Sequence, residues 1–312
     1  MIPRRILLTG ASGFVARHLI PRLRADFPGA ELVLCGEGQT RLDITDAAAV
    51  RALVARVRPE ACVHLAAIVA VAEARRDPGL AWRVNVLGTL ALAEAIREFV
   101  PACLLVFASS ADIYGRSFQS GRPLDETAAA APMNAYGATK AAADLALGAM
   151  AGDGLRCVRL RPFNHTGAGQ STSLAVPAFA RQIARVAAGK QAPVLEVGAL
   201  DPFRDFLDVR DVCAAYSACI ARAERLAPGA VFNIASGTPR RMGDVLAQML
   251  DLAGVQAEVT TAAARLRPSD IPTACGDAGA ARSVLGWSPV IAWEDTLRAV
   301  LADWTMRVAM EA

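Results

Sequence analysis

The sequence predicts an α/β protein built on a doubly wound parallel sheet of about seven strands, followed by a second, smaller C-terminal domain. Short apolar runs of strand length alternate with longer stretches of helical periodicity through the first half of the 312 residues. After Arg161 this alternation stops, and prolines, glycines and isolated arginines become frequent. A parallel sheet covered by helices on both faces accounts for the first half, and a separate mixed unit accounts for the second.

Each predicted strand is a short apolar run, and most are followed by a predicted helix. The strands are assigned to Ile6–Thr9, Leu32–Cys35, Leu42–Ile44, Ala61–Leu65, Leu104–Ala108 and Arg156–Leu160. The helices between them are assigned to Phe14–Ala25, Asp46–Val57, Trp82–Phe99 and Ala135–Met150. Beyond them, Phe206–Arg222 is expected to return to the first domain.

The composition excludes several classes of protein. The net charge of +3 comes from 33 basic and 30 acidic residues that form no basic run, so nucleic-acid binding is not expected. No apolar block reaches bilayer length, so no membrane span is expected either. Seven scattered cysteines without a C-x-x-C pair, and an N-terminus without a signal-peptide pattern, predict a reduced, cytoplasmic protein with no metal site.

A glycine-rich turn joins the first strand to the first helix and reads Thr-Gly-Ala-Ser-Gly-Phe-Val-Ala at residues 9–16. Gly10 permits the tight turn, Gly13 lets the backbone approach a pyrophosphate, and Ala16 lets the helix pack closely on the strand. The helix N-terminus adds free N–H groups and a positive dipole end. This pattern predicts a Rossmann-type dinucleotide site formed by Gly10, Ser12, Gly13, Phe14 and Val15.

The residues after the second strand bear on the choice between NAD and NADP, and they conflict. Gly36 stands where an acid would bind the ribose 2′-hydroxyl of NAD, with Glu37 one place later and Arg41 within loop reach. The choice therefore stays open at this point. Asp43 and Ile44 are assigned to the cofactor site, where Asp43 either hydrogen-bonds the adenine amino group or caps the following helix.

Tyr136 and Lys140 stand four residues apart on one face of a predicted helix. The chain has only three tyrosines and two lysines, so the pairing is informative. A nearby ammonium favours the phenolate and is expected to lower the pKa of the tyrosine toward the range of acid–base catalysis. The lysine could also hold the nicotinamide ribose.

These features, with Ala-Ser-Ser-Ala-Asp-Ile-Tyr-Gly at 108–115, resemble the extended short-chain dehydrogenase/reductase family that acts on nucleotide sugars. The resemblance covers essentially the whole chain and includes His-Leu-Ala-Ala at 64–67 and Val-Asn-Val-Leu-Gly-Thr at 84–89. It implies that the catalytic residues are Ser110, Tyr136 and Lys140, and that the cofactor is further lined by Leu65, Ala66, Ala67 and Asn85. In the family such an asparagine orients the active-site helices. His64 taken alone indicates a packed histidine at a strand end.

The second half of the chain carries the strings Arg-Pro-Phe-Asn-His at 161–165, Arg-Asp-Phe at 204–206 and Arg-Pro-Ser-Asp at 267–270. Arginine supplies paired, permanently charged donors that suit a diphosphate. The resemblance implies a substrate site formed by Ser110, Ala111, Asp112, Asn164, Arg181, Arg204 and Arg267. Residues 1–163, with 204–235 returning to them, are assigned to the dinucleotide-binding domain. Residues 164–203 and 236–312 are assigned mainly to the substrate-binding domain.

Within the family, the chain is most similar to the branch that reduces GDP-4-keto-6-deoxy-D-mannose to GDP-D-rhamnose. This implies an NAD(P)H-dependent reductase, with NADP(H) slightly favoured, that forms a homodimer through Trp82–Phe99 and Ala135–Met150. A GDP-mannose 4,6-dehydratase stays open because Asp112 stands where such dehydratases carry a glutamate. A 4-epimerase stays open too, as does a non-catalytic dinucleotide-binding scaffold or redox sensor. The nucleotide base, the sugar and the stereochemistry at C4 are equally open.

Overall fold

A computed structural model describes residues 2–36, 40–262 and 271–311. Its strands are β1 (Arg5–Thr9), β2 (Glu31–Cys35), β3 (Ala61–His64), β4 (Leu104–Ala108), β5 (Cys157–Pro162), β6 (Asn164–Thr166), β7 (Val194–Val197), β8 (Phe203–Asp208), β9 (Ala230–Ile234), β10 (Pro239–Arg241), β11 (Glu258–Thr261) and β12 (Thr273–Ala274). Six of them form a parallel sheet in the order β2-β1-β3-β4-β5-β9. The doubly wound parallel α/β fold is confirmed, with six strands in the part of the sheet that is described.

Helices cover both faces of this sheet. They are α1 (Phe14–Asp26), α2 (Ala47–Val57), α3 (Val71–Arg76), α4 (Pro78–Trp82), α5 (Thr89–Phe99), α6 (Ala135–Gly152), α7 (Ala175–Ala187), α8 (Val209–Ala221), α9 (Met242–Ala253) and α10 (Trp293–Ala309). Ile6 and Leu8 of β1 pack in the core shared with α1 and α8, whereas Leu7 packs in the core shared with α2, α5 and α6. This alternation follows from the two-residue period of a strand.

Two segments differ from their predicted form. Leu42–Ile44 is not a strand, because the Asp43 carboxylate accepts hydrogen bonds from the Thr45 N–H at 2.9 Å and hydroxyl at 2.7 Å and so folds the chain into a turn. The predicted helix over Trp82–Phe99 is divided: α4 ends at Trp82, Arg83–Gly88 is π-helical, and α5 follows. The first difference removes one of the predicted strands.

A smaller unit holds most of the second half of the chain. Strands β6, β8, β10 and β12 form one sheet, and β7 pairs in parallel with β11. Helices α7, α9 and α10 share a separate core that includes Phe206 and Trp304. Strand β8 therefore lies in the small sheet, while α8 and β9, which follow it, lie with the central sheet.

Within the described ranges, none of the helices combines the length and apolarity needed to cross a bilayer. The same residues contain no cluster of histidine, cysteine, aspartate or glutamate able to hold a metal ion. All seven cysteines are buried and free.

Candidate active site

The dinucleotide turn begins where β1 ends, at the carboxyl edge of the central sheet. Gly10 has a φ of +71°, and a Cβ atom on it would lie 2.7 Å from the backbone nitrogen of Ala66. Only glycine fits here without moving the chain that follows β3. A Cβ on Gly13 would meet the Gly10 carbonyl oxygen at 3.1 Å. The turn therefore packs closely against neighbouring backbone at Gly10 and Gly13, and we call it the cradle.

Helix α1 begins directly after this cradle. Gly13 is its N-cap and supplies no side-chain hydrogen bond, so the N–H groups of the first turn are left for an anionic group. Ser12 is exposed beside them, Phe14 and Val15 are half-buried, and Ala16 is fully buried where α1 packs on the sheet. Cradle and helix end together fit the pyrophosphate of a dinucleotide.

Gly36 lies against the same cradle, at the end of β2. A Cβ on Gly36 would lie 2.8 Å from the backbone nitrogen of Ser12, so an acidic residue cannot occupy this place. Glu37, the next candidate for the adenine ribose, lies outside the described residues. Asp43 is exposed and engaged with Thr45, whose hydrogen bonds lower the pKa of its carboxyl, and Ile44 is buried.

Leu65, Ala66 and Ala67 follow β3 at the same edge, and each is half-buried. Asn85 is buried beneath this segment. Its carboxamide oxygen accepts from the Ile68 N–H at 2.8 Å, and its Nδ2 donates to the Thr139 hydroxyl of α6 at 2.9 Å. The structure thus places Asn85 as a brace between the chain after β3 and the helix that carries Tyr136.

Ser110 follows β4, and Tyr136 lies in the first turn of α6. The two side chains hydrogen-bond to each other, and the Ser110 Oγ also accepts from the Asp112 N–H at 3.1 Å. Helix α6 begins at this point because the Asn134 side chain caps it, accepting from the Gly137 N–H at 2.8 Å. The serine and the tyrosine are therefore brought together at the carboxyl edge of the sheet.

Lys140 is buried one helical turn after Tyr136. Its ammonium donates to the Ala108 carbonyl oxygen at 2.6 Å and lies 4.8 Å from the centre of the Phe107 ring. Burial lowers the pKa of Lys140 from 10.5 to about 7, and the charge of Asp144 acts in the opposite direction. The lysine is thus held under β4, on the side of α6.

The pKa of Tyr136 differs from the sequence-based expectation. Burial raises it above the usual value, the negative charge of Asp112 acts in the same direction, and the hydrogen bond with Ser110 lowers it. The expected lowering by Lys140 is not found among these causes, and the Lys140 ammonium is instead bonded to the Ala108 carbonyl oxygen. Tyr136 is therefore a protonated phenol at neutral pH, which is the form that donates a proton.

Asp112 is half-buried between Asn134, Tyr136 and Arg204. Burial raises the pKa of its carboxyl, while a hydrogen bond from Asn134 and the charge of Arg204 lower it. Ala111, the residue before it, is buried. Asp112 is thus engaged by neighbouring side chains at the place where a dehydratase would need a free acid or base.

A cleft of about 450 Å³ lies between α7 and the small sheet, and residues of β6 and β8 are part of its lining. Asn164 and Arg204 both line it, together with Phe206 and Met242. The Arg204 guanidinium is held at the cleft by the carbonyl oxygens of Phe203 at 2.7 Å and Ile271 at 3.1 Å. The cleft thus offers a fixed positive charge within electrostatic reach of Asp112.

Of the predicted substrate residues, Asn164 and Arg204 line this cleft, whereas Ser110, Ala111 and Asp112 follow β4 and are not part of its lining. Arg181 and Arg267 are not placed there either. Arg181 lies on the exposed side of α7 and forms an ion pair with Glu311 at 3.2 Å, which ties α7 to the end of α10. Arg267 lies outside the described residues.

Two residues of the site were not predicted from the sequence. Asn134 holds Asp112 and caps α6, and its position just before the helix was the available signal. Arg240 of β10 stands opposite Arg204 of β8 in the antiparallel pair, so the two side chains share one face of the small sheet. The Arg240 guanidinium stacks on Trp293, and its buried Nε has no hydrogen-bond partner among the described residues.

Known proteins resemble this chain in both sequence and structure. The family model of GDP-mannose 4,6 dehydratase matches residues 39–300. The chain is 36% identical to a GDP-6-deoxy-D-mannose reductase of Pseudomonas aeruginosa over 99% of both chains. It is 29% identical to a GDP-6-deoxy-D-talose 4-dehydrogenase of Aggregatibacter actinomycetemcomitans, over 90% of this chain and 91% of that one. Among solved structures, RMD from Pseudomonas aeruginosa complexed with NADPH superposes with a TM-score of 0.87 at 34% identity, over 97% of this chain and 99% of the other.

Proposed function

Because the chain belongs to the GDP-mannose 4,6-dehydratase family, we propose that it reduces the 4-keto group of a GDP-4-keto-6-deoxyhexose with NAD(P)H to give GDP-D-rhamnose. The full-length similarity to a GDP-6-deoxy-D-mannose reductase supports the substrate. The observation that carries the chemistry is the pairing of Ser110 with a protonated Tyr136 at the edge of the dinucleotide cradle.

The dinucleotide is assigned to the cradle of Gly10 and Gly13, the N-terminus of α1 and the residues after β3. When bound there, it supplies the hydride for the keto carbon. Lys140 is buried where its ammonium can hold the ribose beside Tyr136. The choice between NADH and NADPH rests with the residues around Glu37, which lie outside the described part.

Two side chains act on the carbonyl oxygen of the substrate. Ser110 donates a hydrogen bond to the carbonyl oxygen as negative charge develops on it, and Tyr136 donates the proton that makes this oxygen a hydroxyl. The raised pKa of Tyr136 supports this direction of transfer, because the phenol keeps its proton until negative charge develops on the oxygen of the substrate.

The sugar nucleotide is assigned to the cleft lined by Asn164 and Arg204. Ala111 and Asp112 are assigned to the sugar, because Asp112 lies within electrostatic reach of Arg204 although it does not line the cleft. Arg204 is held in place before substrate arrives, which favours a diphosphate contact. The family resemblance assigns Arg267 to the same diphosphate, and this residue lies outside the described part of the chain. Arg181 would have to leave its ion pair with Glu311 to reach the nucleotide. We further propose that residues 1–163, with 204–235 returning to them, form the dinucleotide-binding domain, and that 164–203 and 236–312 form mainly the substrate-binding domain, with Arg204 at the boundary between them.

A dehydratase is the second candidate, because the matched family model describes one and Asp112 holds the relevant place. The neighbours of Asp112 argue against it: Ala111 carries no acid, and Asn134 engages the carboxylate. A 4-epimerase would share Ser110, Tyr136 and Lys140, and a UDP-glucose 4-epimerase of Streptomyces lividans is 30% identical over 91% of both chains.

One experiment separates these activities. The protein is incubated with GDP-, UDP- and dTDP-linked 4-keto-6-deoxysugars and NADH or NADPH, and nicotinamide absorbance is followed. The proposal expects oxidation of the cofactor with a GDP-linked substrate and an NMR spectrum of GDP-D-rhamnose. Formation of a 4-keto-6-deoxysugar from GDP-mannose without net cofactor consumption would instead establish the dehydratase. Dinucleotide binding with no turnover of any substrate would favour a scaffold or sensor.

We also propose a cytoplasmic homodimer that pairs α4, α5 and α6 with their copies. Trp82, Leu87 and Leu145 are 44%, 59% and 58% exposed on these adjoining segments, which is unusual for large apolar side chains. Seven free cysteines are consistent with a reducing compartment. Analytical ultracentrifugation at micromolar concentration should give a dimer, and Leu145→Glu should give a monomer. A monomeric wild type would contradict the assembly.

A further inference from the structure

His64 is a buried histidine that the proposed proton transfer does not use. Its Nδ1 lies 2.6 Å from the Thr9 hydroxyl, at the end of β1, and its Nε2 lies 2.9 Å from the Thr89 hydroxyl, at the start of α5. Both ring nitrogens are therefore engaged by hydroxyl groups on different elements. A side chain bonded in this way links the position of β1 to that of α5.

The direction of these hydrogen bonds follows from the donors available. The Thr89 hydroxyl donates its one hydrogen to the Asn85 carbonyl oxygen at 2.8 Å, so it accepts from the Nε2–H of His64. Nδ1 is then the acceptor, and the Thr9 hydroxyl donates to it. Burial and the charge of Lys140 lower the pKa of His64 to about 3, so the ring is neutral, as this pattern requires.

On one side, this chain of bonds leads to the dinucleotide cradle. The Thr9 Oγ1 donates to His64 and is left free to accept from the Ala66 N–H at 3.3 Å. The Ala66 nitrogen is the atom that a Cβ on Gly10 would strike at 2.7 Å. His64 therefore holds Thr9 and Ala66 in the arrangement that shapes the cradle.

On the other side, the bonds lead to the helix that carries Tyr136. Asn85, whose carbonyl accepts from Thr89, donates through Nδ2 to the Thr139 hydroxyl at 2.9 Å. Thr139 donates in turn to the Tyr136 carbonyl oxygen at 2.8 Å. Thr139 directly precedes Lys140 in α6.

We propose that His64 is a positioning residue that couples the dinucleotide cradle to the catalytic helix through hydrogen bonds that meet at Asn85, whose backbone carbonyl takes one bond and whose side chain makes the next. We call Thr9, His64, Thr89, Asn85 and Thr139 the relay; each of these side chains is at most 1% exposed. The inference rests on the proposed function, since Tyr136 is the proton donor only there. In this account, the seating of the dinucleotide and the position of Tyr136 are set together.

The test removes one hydroxyl at each end of the relay. Thr9→Val and Thr139→Val keep the shape of the side chain, and kcat with the keto sugar and the Kd for NADPH are measured for both variants and their double. Each single change should lower kcat about 10-fold by displacing the reacting groups. The double variant should be no slower than the worse single, because a broken connection cannot be broken again. Thr139→Val should also weaken NADPH binding about 5-fold, although it lies on α6.

Thr296→Val is the matched control, because it removes a buried hydroxyl that bonds to Asp208 at 2.9 Å outside the relay. It should lower thermal stability as the relay variants do, with kcat and NADPH affinity unchanged. Singles with wild-type kcat, or effects that multiply to about 100-fold in the double, would overturn the inference. If the wild type binds NADPH but reduces no keto sugar, the proposed function fails, and the same variants still test the relay through NADPH affinity.

Discussion

Lys140 carries a charge that the folded protein disfavours, and this has a measurable effect on stability. Burial lowers the pKa of Lys140 from 10.5 to about 7, so between these values the unfolded chain binds a proton that the folded chain releases. The contribution of this group to stability therefore rises with pH across that window and is lost as the pH falls toward 7. Between about pH 6 and about pH 10, linkage gives about 4 kcal/mol.

Urea unfolding of the ligand-free wild type and of Lys140→Met, at both pH values, measures this effect. Subtracting the free energy of the variant from that of the wild type removes the titration of the other groups, so that the remaining pH dependence reports Lys140. The wild type should gain about 4 kcal/mol relative to the variant on going from the lower to the higher pH. Lys190→Met, which removes the other lysine, should keep normal turnover. A difference that is independent of pH, or one that grows in the opposite direction, would show that the folded protein does not lower the pKa of Lys140.

Further predictions concern single side chains. Tyr136→Phe should lower kcat by about 10²–10⁴-fold in an absorbance assay, with NADPH affinity retained, because only the proton donor is lost. Gly10→Ala should destabilise the fold by about 1–3 kcal/mol and weaken NADPH binding in calorimetry, since its φ is +71° and its Cβ would strike backbone. Arg204→Ala should act chiefly through KM in steady-state kinetics. Asp144→Asn should lower the urea unfolding free energy by about 3–5 kcal/mol, because it leaves two arginines without their buried carboxylate.

Much of the fold could be predicted because strands buried in a parallel sheet have sequences of short apolar runs. The prediction is wrong at Leu42–Ile44, where the apolar–polar–apolar alternation is that of a strand. There the Asp43 carboxylate binds the backbone and hydroxyl of Thr45, and this local competition outweighs the pattern. The π-helical segment Arg83–Gly88 was also missed, because it keeps the apolar spacing of a helix over a short distance.

The residues of the candidate site were also predicted only in part. Ser110, Tyr136 and Lys140 lie in contiguous motifs, so their proximity could be anticipated from the ends of strands and the face of one helix. Arg240 could not be found, because its place opposite Arg204 depends on the pairing of β10 with β8. The direction of the Tyr136 pKa shift could not be found either, since it depends on burial and on the approach of Asp112.

In the proposed reaction, a hydride passes to C4 of a GDP-linked 4-keto-6-deoxysugar while Tyr136 protonates the carbonyl oxygen. The reaction is run with NADPH that carries deuterium at both positions of the nicotinamide C4, with GDP-4-keto-6-deoxy-D-mannose as substrate, and the isolated product is examined by NMR. The wild type should form GDP-D-rhamnose with deuterium bonded to C4 of the sugar, and Tyr136→Phe should form almost none. A product without deuterium at C4, or equal turnover by the variant, would contradict the proposed reaction.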